Sequence, residues 1–312
     1  MTDIRIQSPS DTLTPGQSYR VPILLRVDEP LKVRGVHATF HGAEETTATY
    51  TTYNAATKST QTHTAIEHCD IVKQTFLLTG QERKGFWGNF ADGFATLLGG
   101  GEHDVLDPGE YSFEVEIQTP ADARPSFAGE VCRVFYELTV DLDIPAARDV
   151  KATQSFQIAE ELQNDIESNS VRTRYPEDQG LGFWDAWLVP ELRAEVALAQ
   201  QTLKVGDTAE GMFKVESPKP LNYRSIKVRL ISVENVTAHG HASGHIHQGE
   251  PLELATAGVI DSDYVQRFQL PVSFPGPRQV QGTNFKIECF LQIELDVPWA
   301  KDPAIRVPVN LV

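Results

Sequence analysis

Apolar and polar residues alternate with a period of two along much of this chain. In 111–117, Tyr111, Phe113, Val115 and Ile117 fall on one phase and Ser112, Glu114 and Glu116 on the other. In 134–144, Val134, Tyr136, Leu138, Val140, Leu142 and Ile144 alternate with Phe135, Glu137, Thr139, Asp141 and Asp143. In 285–297, Phe285, Ile287, Cys289, Leu291, Ile293, Leu295 and Val297 share a phase, and 19–27, 33–40 and 226–233 read the same way. Successive side chains of an extended chain point to opposite faces, so this period predicts strands with one buried face. Between them stand turn formers: Thr14-Pro15-Gly16, Asp107-Pro108-Gly109, Lys204-Val205-Gly206-Asp207 and Pro275-Gly276-Pro277. Many short strands with regular turns predict an all-β protein of antiparallel, immunoglobulin-like sandwiches.

The pattern is written twice. Residues 3–48 match 193–238 at a shift of 190: Thr12-Leu13 falls on Thr202-Leu203, Gly16 on Gly206, Pro30-Leu31 on Pro220-Leu221, Arg34 on Arg224 and Glu44 on Glu234. Residues 138–149 match 291–302 at a shift of 153, with Leu138, Leu142, Asp143, Pro145, Ala147 and Asp149 all recurring. Upstream, Phe113 and Pro120 fall on Phe268 and Pro275 at a shift of 155. The drop from 190 to 153 leaves 37 extra residues in the first half, between about residue 49 and residue 112. A period this long marks a duplicated domain rather than a solenoid. Three parts are expected: a sandwich over 1–158, a connector over 159–192 and a second sandwich over 193–312.

With the duplication in view, several stretches resemble the arrestin family. Leu106-Asp-Pro-Gly-Glu-Tyr-Ser-Phe-Glu-Val-Glu-Ile-Gln-Thr-Pro120 resembles that family's leucine, turn glycine, aromatic-rich strand and closing proline. Pro125-Ser126-Phe127 before Gly129 is similar to its proline-serine-phenylalanine step. Phe135–Pro145 with Asp149, and Leu295–Asp302, resemble the strand and closing aspartate that follow. The resemblance implies two tandem arrestin-like sandwiches and a non-enzymatic adaptor or scaffold that docks proteins through faces, edges and loops. The chain has no Pro-Pro pair and hence no PPxY motif, and no lysine pair opens its first strand. It ends at Val312, directly after the last expected strand, with no long tail expected. A bacterial arrestin-like protein similar to the sporulation-control group, or a sorting scaffold, is the expected kind.

The first half's extra length contains Phe86, Trp87, Phe90, Phe94, Leu97 and Leu98 at three- and four-residue steps. They form one stripe of a short amphipathic helix of about three turns. The helix either packs on its own sandwich or offers Phe86, Trp87, Phe90 and Phe94 to a partner. In the connector, Trp184 and Trp187 lie in an apolar run that either packs at the junction of the two units or offers anchors to a partner, because tryptophan is favoured where binding energy concentrates.

His239, His241, His245 and His247 crowd into nine residues. Imidazoles at alternate positions of a strand point the same way and could ligate zinc, nickel or copper. The alternative is a polar loop whose histidines are solvated or bond one another. An enzyme or metal-dependent regulator built on this loop is the second functional reading, and a self-assembling structural protein the third. No nucleophile elbow, phosphate-binding loop, H-E-x-x-H or dinucleotide fingerprint occurs, and no cofactor is expected. Asp141, Asp143, Asp296 and Asp302 are expected on solvated faces or as turn caps.

Charge narrows the partners. The 312 residues carry a formal charge of −16. The first sandwich holds −9 of it, the connector −6 and the second sandwich −1. Nucleic acids and anionic lipids select clustered Lys and Arg, so a protein partner is expected, with no nucleic acid and at most peripheral membrane contact. Cys69, Cys132 and Cys289 are odd in number and far apart, and Met1–Ser10 has no apolar signal core. A reducing, cytoplasmic location without disulfides is the expectation.

Overall fold

A computed structural model describes residues 2–8, 10–80, 104–145, 149–159, 169–176 and 191–312. Among these residues every regular element is a β-strand. The expected helix with Phe86, Trp87, Phe90 and Phe94 lies outside the described residues, as do Trp184 and Trp187. The first eleven strands are β1 (Asp3–Ile6), β2 (Thr12–Leu13), β3 (Ser18–Val27), β4 (Leu31–Val33), β5 (Gly35–Asn54), β6 (Ser59–Gly80), β7 (Asp104–Leu106), β8 (Gly109–Gln118), β9 (Phe127–Ala128), β10 (Cys132–Asp143) and β11 (Val150–Ile158). The rest are β12 (Val171–Tyr175), β13 (Arg193–Leu198), β14 (Thr202–Leu203), β15 (Thr208–Glu216), β16 (Leu221–Ala238), β17 (His241–Gln248), β18 (Leu252–Ile260), β19 (Asp263–Pro271), β20 (Val280–Gln281), β21 (Phe285–Asp296) and β22 (Ala304–Leu311).

The chain divides into two compact units. One comprises Met1–Glu45, Glu67–Ala128 and Arg133–Glu161. The other comprises Thr46–Ile66, Gly129–Cys132 and Leu162–Val312. The tip of the long β5–β6 hairpin and the short stretch before β10 therefore belong to the second unit, which sequence periodicity does not signal.

In the amino-terminal half, one sheet runs β1-β3-β8 and another β2-β11-β10-β5-β6, with β9 against β10 and a small β4-β7 pair. Val21, Ile23 and Leu25 of β3 and Val115 and Ile117 of β8 are buried. So are Phe40, Tyr136, Leu138 and Phe156 of the other sheet, with the Phe40 ring 6.5 Å from Tyr136 and 6.1 Å from Phe156. The inward phase of the alternation is thus the core, and each such side chain contributes about 1.5–3 kcal/mol when fully buried.

In the second unit, one sheet runs β12-β13-β15-β19 and the other β14-β22-β21-β16-β17, with β18 on β16 and β20 on β21. Val196, Phe213 and Phe268 of the first sheet and Ile226, Val228, Leu230, Leu291, Ile293 and Val307 of the second form one buried cluster. β12 lies inside the expected connector. It pairs along β13 from Val171↔Leu198 to Tyr175↔Ala194, and Thr173 and Tyr175 are buried.

The duplication holds in register. Leu13 pairs with Ile158 in parallel, and Leu203 pairs with Leu311 in the same way. Tyr136 faces Phe156, and Cys289 faces Val309. Gly16 and Gly206 both take positive φ, 75° and 97°, as their turns require. The β3–β8 ladder pairs Ser18 with Gln118, and the β15–β19 ladder pairs Thr208 with Pro271. That register sets the shift between β8 and β19 at 153, not 155. Phe268 therefore matches Val115, both buried, and the Phe113–Phe268 identity is two residues out of register. A two-residue slip keeps every side chain on its face, so alternation could not exclude it.

Candidate functional site

The histidine run folds into the β16–β17 hairpin. His239 and Gly240 both have positive φ, 48° and 80°, the backbone a two-residue hairpin turn needs. His241, His245 and His247 then share one parity of β17, so the run is a strand rather than a loop from His241 onward. They do different things. The His241 ring stacks on Tyr50 at 3.6 Å between centroids and 1° between planes, and Tyr50 also stacks with His63, at 5.3 Å. His239 donates Nε2–H to the Ile66 carbonyl at 3.0 Å. His245 lies edge-on to His247 with 4.7 Å between centroids. His247 donates Nε2–H to Glu234 Oε1. Among the described residues, no group of three or more His, Cys, Asp or Glu side chains is placed to hold a metal ion.

Glu234 is the residue this arrangement turns on. It sits on β16 with its side chain fully buried. Its carboxylate accepts the backbone N–H of Glu130 at 3.1 Å and of Val131 at 3.0 Å, the Cys132 thiol at 3.4 Å, and His247. All belong to the second unit. Burial alone would push the carboxyl up, because it disfavours the charge. The donors from Val131, His247, Glu130 and Cys132 outweigh it, and the group is held below its ordinary carboxylate value. At Gly129 a Cβ would collide with this carboxylate, so a side chain there would require the Glu234 carboxylate to shift.

The matching residue of the first half, Glu44, is also buried and pairs with Arg124. The Tyr136 hydroxyl donates to the Arg124 carbonyl at 2.9 Å. Neither glutamate stands out by local sequence. The available signal was a carboxylate repeated at one repeat position, just beyond the strand patterns at 33–40 and 226–233.

The aspartates divide. Asp302 accepts the Val297 N–H at 2.9 Å and Asp149 that of Ile144 at 3.2 Å, as turn caps. Asp141 and Asp143 are buried rather than solvated. Asp141 lies 3.6 Å from Lys151 and Asp143 lies 3.6 Å from Arg34. Arg34 and Asp143 recur as Arg224 and Asp296, at 3.4 Å. The cysteines form no disulfide, and Cys132 and Cys289 are buried. Trp299, in the turn that Asp302 closes, is fully exposed and has φ +63°.

Among the described residues no helix is long and apolar enough to cross a membrane. No curated protein matches the chain. The model for the amino-terminal domain of arrestin (or S-antigen) matches residues 2–165, just over half of the sequence. With its strand order, repeat and closing aspartates, the chain belongs to the arrestin family.

Proposed function

We propose that the protein is a cytoplasmic adaptor that binds protein partners through the edges, faces and loops of its sandwiches. The arrestin family is in general one of non-enzymatic adaptors, which supports this reading. The observation that carries it is β19. This strand ends the sheet β12-β13-β15-β19 among the described residues, and its outward Val265 is 54% exposed. An edge strand presents a row of backbone donors and acceptors, and an extended peptide can add to it as one more strand.

The test is capture of partners from the native host by the tagged full chain, in wild type and Val265→Lys. A charge on the edge disfavours strand addition. Several-fold weaker capture at an unchanged melting temperature supports the edge. Equal capture of the same partners by both proteins removes it from the reading.

A further inference from the structure

We infer that the open edge of β8 is a docking strip for an extended peptide whose residues alternate between basic and apolar. This edge is distinct from that of β19, its counterpart in the second half, and its side chains define the kind of peptide it takes.

β8 ends the sheet β1-β3-β8 among the described residues. Thr119, directly after it, donates its N–H to the Gln17 carbonyl on the β3 side at 3.0 Å. Gln118 turns both backbone groups the other way. The Gln74 carboxamide of β6 donates Nε2–H to the Gln118 carbonyl at 2.7 Å, and its Oε1 accepts the Gln118 N–H at 3.0 Å. A side-chain amide thus pairs with this edge as a residue of a further strand would. Backbone groups alternate sides along a strand, so Glu110, Ser112, Glu114 and Glu116 turn theirs to the same edge as Gln118.

The same parity puts Glu110, Glu114 and Glu116 on the outward face, all exposed, and β8 itself contains no Lys or Arg. Arg20 of β3 lies 3.8 Å from Glu114 and 4.0 Å from Glu116, with all three side chains more than half exposed. Such a contact contributes little and leaves the carboxylates available. Arg26, opposite Glu110, bonds Asp28 at 3.0 Å. On the inner face Val115 and Ile117 are buried, whereas Tyr111 and Phe113 are half-buried. An added strand would place basic side chains beside the glutamates and apolar ones beside Tyr111 and Phe113. A second copy of β8 is disfavoured, because it would set glutamate against glutamate. β19 lacks this bias, since its outward Asp263 and Arg267 carry opposite charges.

The experiment titrates the full chain into a fluorescein-labelled peptide, Lys-Val-Lys-Val-Lys-Val-Lys, and reads anisotropy at physiological salt. Saturable binding is expected, and a peptide with Glu in place of each Lys should not bind. Replacing Glu110, Glu114 and Glu116 together by Gln should weaken binding by about tenfold. Of two peptides N-methylated on the backbone, at the lysines or at the valines, one should lose binding, because one set of amides faces β8. Full binding by both methylated peptides, or by the folded Gln variant, overturns the proposal. The methylated peptides use the wild-type chain and decide the matter if the Gln variant does not fold. Val265→Lys should leave this binding unchanged. Loss of binding in that variant would move the peptide to β19 and overturn the assignment to β8, whereas failure at β8 alone leaves the β19 reading standing.

Discussion

Asp149 and Asp302 stand 153 residues apart and make the same bond, each carboxylate accepting the backbone N–H five residues before it. In both places the bond closes the turn after a long inner strand of a sandwich, β10 or β21. A duplicated sequence has kept the hydrogen bond as well as the hydrophobic pattern.

Asp302→Ala therefore removes a turn closure and leaves the Val297 N–H without its acceptor. The expected loss is about 1 kcal/mol, read as a lower urea midpoint at unchanged slope. A change in slope would point to a wider effect on compactness.

Tyr136 predicts an alkaline weakness. Burial, the largest cause, pushes its phenol up to about 12 from 10.0. In the unfolded chain the phenol loses its proton near the lower value, whereas the folded chain keeps it to the higher one. Between them the unfolded state binds fewer protons, so stability is full below about pH 10 and falls as pH rises toward 12. The contribution lost is about 2–3 kcal/mol. Urea midpoints across that window should fall less steeply in Tyr136→Phe than in wild type.

The turn at Trp299 combines a fully exposed indole with a left-handed backbone. A side chain with a Cβ costs about 1–2 kcal/mol in that region, and asparagine tolerates it better. Trp299→Asn should raise stability by about 0.5–1 kcal/mol, seen as a higher melting temperature, because no buried contact is lost.

Where the second sandwich begins is testable with fragments. β12 supplies buried Thr173 and Tyr175 and pairs along all of β13. We expect a fragment over 169–312 to be more stable than one over 193–312, which leaves the β13 edge bare. Equal urea midpoints would show that β12 adds nothing.

What the sequence carried was everything with a short period or an exact repeat. The alternation at 111–117, 134–144 and 285–297 became β8, β10 and β21, with the expected phase turned inward, fully buried in most of β10 and β21 and at Val115 and Ile117 of β8, because a strand's two faces are set by residue parity alone. The match of Thr12-Leu13 to Thr202-Leu203 falls on the corresponding short strands β2 and β14. His241, His245 and His247 share one strand and one parity, which their spacing allowed and a polar loop would have allowed as well. Tertiary structure decided what those side chains meet. Glu234 collects donors from residues more than a hundred positions earlier in the chain, His241 finds Tyr50, and Asp143 is buried against Arg34. Such contacts depend on which strands the fold brings together. Period-two patterning reports that a residue faces inward and is silent on which partner waits there.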